Sequence, residues 1–140
     1  ILEGIKQVFP GNKVTEVGRA MEKYAKKNGY VINKRMNGHG IGKAMHEQPS
    51  ILSFALPLEE KITTDEKGKK HYAYSELENI PVFQIGQVIC IEPYLSYKDE
   101  YGKLELDHWT LSTRDGRKSA MVEHEVRVTP DGHEILTTHI

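Results

Sequence analysis

Three observations place this chain of 140 residues in the α+β class as a single domain, residues 1–140. Its first 28 residues carry apolar side chains at helical spacing. From residue 88 onward it consists of short β-patterned runs cut by turns. Its hydrophobic fraction of 38% and charged fraction of 28% are those of one ordinary globular domain with a real core. Helices first and strands later is the α+β order, not the βα alternation of a parallel sheet.

The elements follow in order. Ile1, Ile5, Val8 and Phe9 keep helical spacing up to the breaker Pro10-Gly11, as the last turns of a helix already under way would. Asn12 is placed to cap a second helix with Val14, Val17, Met21 and Tyr24-Ala25 on one stripe. That helix should end at Asn28-Gly29, where glycine supplies the left-handed cap. Tyr30 to Met36 reads as a strand leading into a glycine-rich turn, and Pro49 to Leu58 as a second extended run. Residues 59–79 are polar and read as an exposed loop or excursion, with Lys67-Gly68-Lys69-Lys70, Tyr72 and Tyr74 as a solvated group within it. Val88-Ile89-Cys90-Ile91 is an apolar run of the kind buried on both faces. Strands are expected at 88–95, 106–112, 121–129 and 134–138, the later ones separated by Asp115-Gly116 and Pro130-Asp131-Gly132.

Composition excludes several classes of function. A net charge of −1 provides no basic field for nucleic acid or an anionic membrane surface. No run approaches the ~18 apolar residues of a membrane span. The single cysteine, Cys90, permits no internal disulfide framework and fits a reducing compartment, so a cytoplasmic location is expected.

Chemistry concentrates in four places. Gly38-His39-Gly40-Ile41-Gly42 surrounds a histidine with glycines, and glycine lets backbone come unusually close to its surroundings. This reads as a histidine presented from a tight turn to a metal or substrate. His46-Glu47-Gln48-Pro49 lacks the second histidine of a helical zinc motif: position 50 is Ser, and Pro49 would break the helix. His46 is left to donate a hydrogen bond to a substrate carbonyl or simply to pack against backbone. Glu92 follows four apolar residues and precedes Pro93, which stops the strand's ladder. A carboxylate there needs a cation or donors, either a Lys or Arg partner or a metal. Alternation along 121–128 puts Met121, Glu123, Glu125 and Arg127 on one face and Val122, His124, Val126 and Val128 on the other. By pattern alone, Glu123 belongs to a solvated face. Trp109 fits a pocket wall and rim packing equally, and Cys90 is a small buried hydrophobe.

Taken together, Gly38-His39-Gly40-Ile41-Gly42, His46-Glu47-Gln48-Pro49, Ile91-Glu92-Pro93 and Ser119-Ala120-Met121-Val122-Glu123-His124 resemble the methionine aminopeptidase family. Asp131-Gly132-His133-Glu134-Ile135-Leu136-Thr137 is similar to that family's ending, and Pro10-Gly11 and Gly29-Tyr30 also match. The resemblance runs along nearly the whole chain. It implies the C-terminal half of a pita-bread fold, with one to two helices packed on a mainly antiparallel sheet. His39 and Glu92 would bind one metal and Glu123 would bridge two. His46 would contact the scissile peptide, Glu92 would also shuttle the proton, and Trp109 and Met45 would wall the methionine pocket. Mn, Co, Fe or Zn would suit such ligands. The substrate would be a peptide or nascent-protein N-terminus. Prolidases and aminopeptidases P share the fold but usually carry Glu-Asp where this chain has Glu123-His124.

Three departures qualify the resemblance. The family's two aspartate ligands and an upstream substrate histidine would lie before His39, and residues 1–38 contain no Asp. One metal position would keep three ligands and the other only Glu123. Met45 stands where the family often has an aromatic pocket wall, and 59–79 is longer than bacterial enzymes of this type need. The expectation is therefore a chain lacking the N-terminal half, which pairs with that half or self-associates. It would be part of a working enzyme, a single-metal half, or a pita-bread-derived binding module without catalysis.

Overall fold

The computed structural model describes residues 1–56 and 79–138, and between them the backbone of two strands, 59–64 and 70–75. Lys67-Gly68-Lys69 and the side chains of Lys70, Tyr72 and Tyr74 lie outside the described residues.

Helix α1 (Leu2–Ile5) is one turn and packs on α2 (Thr15–Lys27). The expected stripe of α2 is real: Val14, Val17, Met21 and Ala25 are buried, while Tyr24 faces solvent. Gly18 is where the helix comes closest to its neighbour. A Cβ there would sit 2.3 Å from the Phe54 carbonyl oxygen, so only glycine lets the helix lie against the Leu52–Phe54 backbone. Glu22 ties down the same contact, accepting the Ala55 N–H at 3.3 Å and pairing with Lys26 at 3.1 Å. Asn12 does not cap α2. Its side-chain amide instead donates to the Gln7 carbonyl at 2.7 Å, fastening the turn between the helices. The helix ends as its sequence requires, with Gly29 at φ 79°.

After α2 come β1 (Val31–Ile32), β2 (Gly38–Gly40), β3 (Glu47–Ile51), β4 (Glu59–Thr64) and β5 (Lys70–Ser75). The remainder is β6 (Val88–Ile91), β7 (Tyr94–Ser96), β8 (Lys103–Leu104), β9 (Leu111–Ser112), β10 (Ala120–Met121), β11 (His124–Thr129) and β12 (Gly132–Ile135). The main sheet has the order β12-β11-β6-β2-β3 and is antiparallel throughout. A small sheet, β1-β7-β10, stands beside it, and β8-β9 form a hairpin. The excursion read as a loop is organised as the β4-β5 hairpin, with Glu59 paired to Ser75 and Thr64 to Lys70. Its polar composition gave no period-2 apolar signal from which to predict strands.

Register gives the main sheet two different faces. Ile51, Ile89, Ile91, Val126 and Val128 alternate onto one face and bury with Ile5, Val8, Val17 and Met21 as the core. The pairings His39↔Cys90, His39↔Ser50 and Glu125↔Cys90 put those four residues on the other face. Two-residue periodicity carries Glu92 to that face as well. The helices stabilise one side of the sheet, and chemistry is left to the other.

Candidate functional site

His39 lies in the middle of a strand, not on a turn. Its flanking glycines have no positive φ; they are needed because neighbouring backbone passes too close for a side chain. A Cβ on Gly38 would stand 2.1 Å from the Cys90 carbonyl oxygen, and one on Gly40 would stand 2.3 Å from that of Gln48. The glycines thus let β6 and β3 close in on both flanks of His39. They hold its ring over the polar face.

The chain between β2 and β3 turns back sharply. Gly42 N–H donates to the Ala44 carbonyl at 3.1 Å, and the Glu47 carboxylate accepts the Ala44 N–H at 2.8 Å. This turn returns His46 over His39, with ring centroids 4.3 Å apart and planes at 62°. His39 Nδ1 is 2.9 Å from the Gly40 carbonyl oxygen. A carbonyl only accepts, so Nδ1 carries the hydrogen, and in the neutral ring the Nε2 lone pair is left for a ligand. That Nε2 lies 3.4 Å from Glu92 Oε1, where the two side chains are 15% and 13% exposed.

Glu92 follows β6 directly, and Pro93 sends the chain into the small sheet at β7. Burial, and next the charge of Glu123, push its carboxyl above the ordinary carboxylate range, against the pull of His39, His46 and a hydrogen bond with Tyr94. Glu123 precedes β11; one step beyond His124↔Ile91 in register, it comes across the strands from Glu92. Cys90, beneath them, has its thiol pushed up to about 12 by burial and by a hydrogen bond with Glu123. Among the described residues no three of His, Cys, Asp and Glu close into a metal-holding group. His39 and Glu92 meet as a pair, with Glu123 alongside.

Trp109 and Met45 are 88% and 71% exposed, so described residues enclose neither. Trp109 sits in the β8-β9 turn, where the Asp107 carboxylate accepts its N–H at 3.0 Å and the Thr110 N–H at 2.9 Å. It overhangs a cavity of about 610 Å³ that Tyr94, Met36 and Met121 also line. The hairpin is anchored from below by Asp99. That buried carboxylate accepts from the backbone of Tyr101 (3.1 Å), Gly102 (3.0 Å) and Arg114 (2.6 Å). These hydrogen bonds, the Arg114 N–H first among them, lower its carboxyl below the usual range. Sequence reasoning passed over Asp99, Tyr94 and the polar side of Cys90. An Asp three residues before a glycine was the only signal for the first, and the others had none.

Residues 1–130 match metallopeptidase family M24. The chain belongs to that family. It is 35% identical over 134 residues to a methionine aminopeptidase of Salmonella typhimurium, covering 96% of this chain and 43% of the relative. Among solved structures, the methionine aminopeptidase of Rickettsia prowazekii superposes with a TM-score of 0.78 at 32% identity. That match covers 98% of this chain and 48% of the neighbour. The enzyme of Thermotoga maritima gives 0.79 at 27% identity, over 99% and 47%. The prolidase of Pyrococcus furiosus, at 0.54 and 18%, shares the fold alone. The fold is therefore the α+β pita-bread fold, and the chain spans less than half the length of the relatives it matches. M24 membership implies divalent metal ions. Among the described residues no helix is long and apolar enough to cross a membrane.

Proposed function

We propose that this chain carries the His39, Glu92 and Glu123 part of an aminopeptidase site that removes N-terminal methionine from peptides and nascent proteins in the cytoplasm. The observation that carries this reading is the approach of the His39 Nε2 lone pair to the Glu92 carboxylate, with a second carboxylate alongside. An imidazole lone pair and a carboxylate, with a second carboxylate alongside, gather negative charge that a cation would offset. One imidazole and two carboxylates suit Mn, Co, Fe or Zn. When bound, such an ion supplies Lewis-acid stabilisation of the developing oxyanion.

The chain's own residues do the rest. Glu92 takes a proton from the attacking water and returns it to the leaving amine. His46, set edge-on against His39, donates to the scissile carbonyl. Trp109 and Met45 line the methionine side of the site. The test is hydrolysis of a short Met-initiated peptide with added Mn or Co, beside a Glu123→Ala control. Turnover that vanishes in the control is expected. Equal turnover in the two, or a tight macromolecular partner with no metal-dependent activity, would replace this reading with that of a binding module.

The face around the site calls for a cover. Leu106 is 94% exposed, and Trp109, Met45 and Val122 are exposed apolar side chains as well. Apolar surface of this kind marks an interface. The chain is expected to self-associate or to pair with a polypeptide supplying the remainder of the relatives' length. Light scattering at tens of micromolar checks this, and a monomer that binds no hydrophobic dye would refute it.

A further inference from the structure

We propose that Asp99 is a positioning residue for Trp109: its carboxylate clasps both roots of the β8-β9 hairpin and so fixes where that side chain stands on the cavity wall. That Trp109 meets the methionine side chain rests on the reading above; the clasp itself does not.

Between its roots and its tip the hairpin is tied into one piece. Lys103 pairs with Ser112 and Leu104 with Leu111, and the Glu105 N–H donates to the Thr110 carbonyl at 2.8 Å. At the tip, the Asp107 carboxylate accepts the N–H groups of Trp109 and Thr110. A piece closed in this way swings mainly about its roots, Gly102 before β8 and Arg114 beyond β9. Asp99 holds both. One carboxylate oxygen accepts the N–H groups of Tyr101 and Gly102, and the other accepts that of Arg114. Arg114 Nε adds a second tie between the roots, donating to the Gly102 carbonyl at 2.9 Å.

Asp99 is in turn fastened to the small sheet. Ser96 is buried and pairs with Val31 of β1. Its hydroxyl donates to the Asp99 carbonyl at 2.7 Å and accepts the Asp99 N–H at 3.1 Å. The path runs from β7 through Ser96 and Asp99 to the hairpin and so to Trp109. It requires a carboxylate. An amide of the same shape must turn its NH2 toward one of the two roots, where a backbone N–H already points.

Trp109 is the only tryptophan, so the decay of fluorescence anisotropy in the metal-free chain reports the hairpin that carries it. Asp99→Asn should enlarge the fast-decaying part at the expense of whole-molecule tumbling. Glu22→Ala removes a carboxylate that also accepts a backbone N–H, but from α2, and should leave the decay as in wild type. An unchanged decay in Asp99→Asn, or an equal change in Glu22→Ala, overturns the proposal. With a Met-initiated peptide and added Mn, Asp99→Asn should raise KM severalfold with little change in kcat, as loss of binding apart from the chemical step does. A wild-type KM in that variant overturns the proposal too. A wild-type chain without turnover instead overturns the functional reading above, and the anisotropy still decides the role of Asp99. Should Asp99→Asn fail to fold, Ser96→Ala, which removes what holds Asp99 in place, is read by the same decay against the same control.

Discussion

A Gly38→Ala chain is expected to lose roughly 10 °C of thermal stability, and with it any metal uptake, although the substitution adds one methyl group. The new Cβ would meet the Cys90 carbonyl oxygen at 2.1 Å and the Ile91 Cα at 3.3 Å. Both are backbone atoms of the adjacent strand, so no side chain can swing aside. Either β2 and β6 separate or the pairing at His39 breaks. Overpacking ordinarily costs about 1–3 kcal/mol, and a rigid backbone neighbour puts this case at the upper end. For a domain of this size that corresponds to a loss of roughly 10 °C. Gly116→Ala is the control. Gly116 has φ 67° but open space around it, so alanine there incurs only left-handed strain of about 1–2 kcal/mol. Calorimetric melting of the two variants checks the ordering. A Gly38→Ala protein as stable as Gly116→Ala would show that the strands can part freely, and that the glycines around His39 serve something other than close packing.

Glu92→Gln should move two properties in opposite directions. In the metal-free protein the Glu92 carboxyl is held above its ordinary range, first by burial and next by Glu123. A raised folded-state pKa favours the protonated form. The stability it contributes is fully present below the unfolded pKa, about 4.3 for Glu, and is lost as pH rises through the folded value. At pH 7 the wild type therefore bears a charge the fold disfavours, and the isosteric amide does not. Glu92→Gln is expected to melt higher than wild type at pH 7 in chelator, with the difference closing near pH 4. The same substitution removes an anionic ligand, so Mn(II) affinity should fall by about a hundredfold, the upper range seen even for indirect partners of a metal. Melting curves across pH and a Mn(II) titration on the same samples check both halves. A metal-free Glu92→Gln less stable than wild type at pH 7 would mean that His39 and His46 compensate Glu92 more than Glu123 burdens it.

Local rules were legible where a single element decides its own face. The α2 stripe of Val14, Val17, Met21 and Ala25 and the alternation of β11 are periodicities, and a periodicity survives whatever packs against it. The motifs around His39, His46, Glu92 and Glu123 likewise pointed to one neighbourhood, because their order and residue types are specific. Other readings failed where a partner strand decides. Asn12 has the chemistry of a cap, but it lies ahead of the cap position and its amide donates to the Gln7 carbonyl instead. The glycines beside His39 suggested a turn, and the limiting factor was the space between two neighbouring strands, which sequence does not display.

The amino-acid sequence by itself determined the α+β class and the amphipathic helix, since each rests on interactions within short segments. Tertiary structure alone decided that Glu123 comes across from Glu92 and that Trp109 lines a cavity it does not seal. The reason is register. One residue of slip in an antiparallel pair turns every side chain to the opposite face, and the pairing of β6 with β2 and β11 joins residues 33 to 51 positions apart along the chain, from Ile91↔His124 to His39↔Cys90.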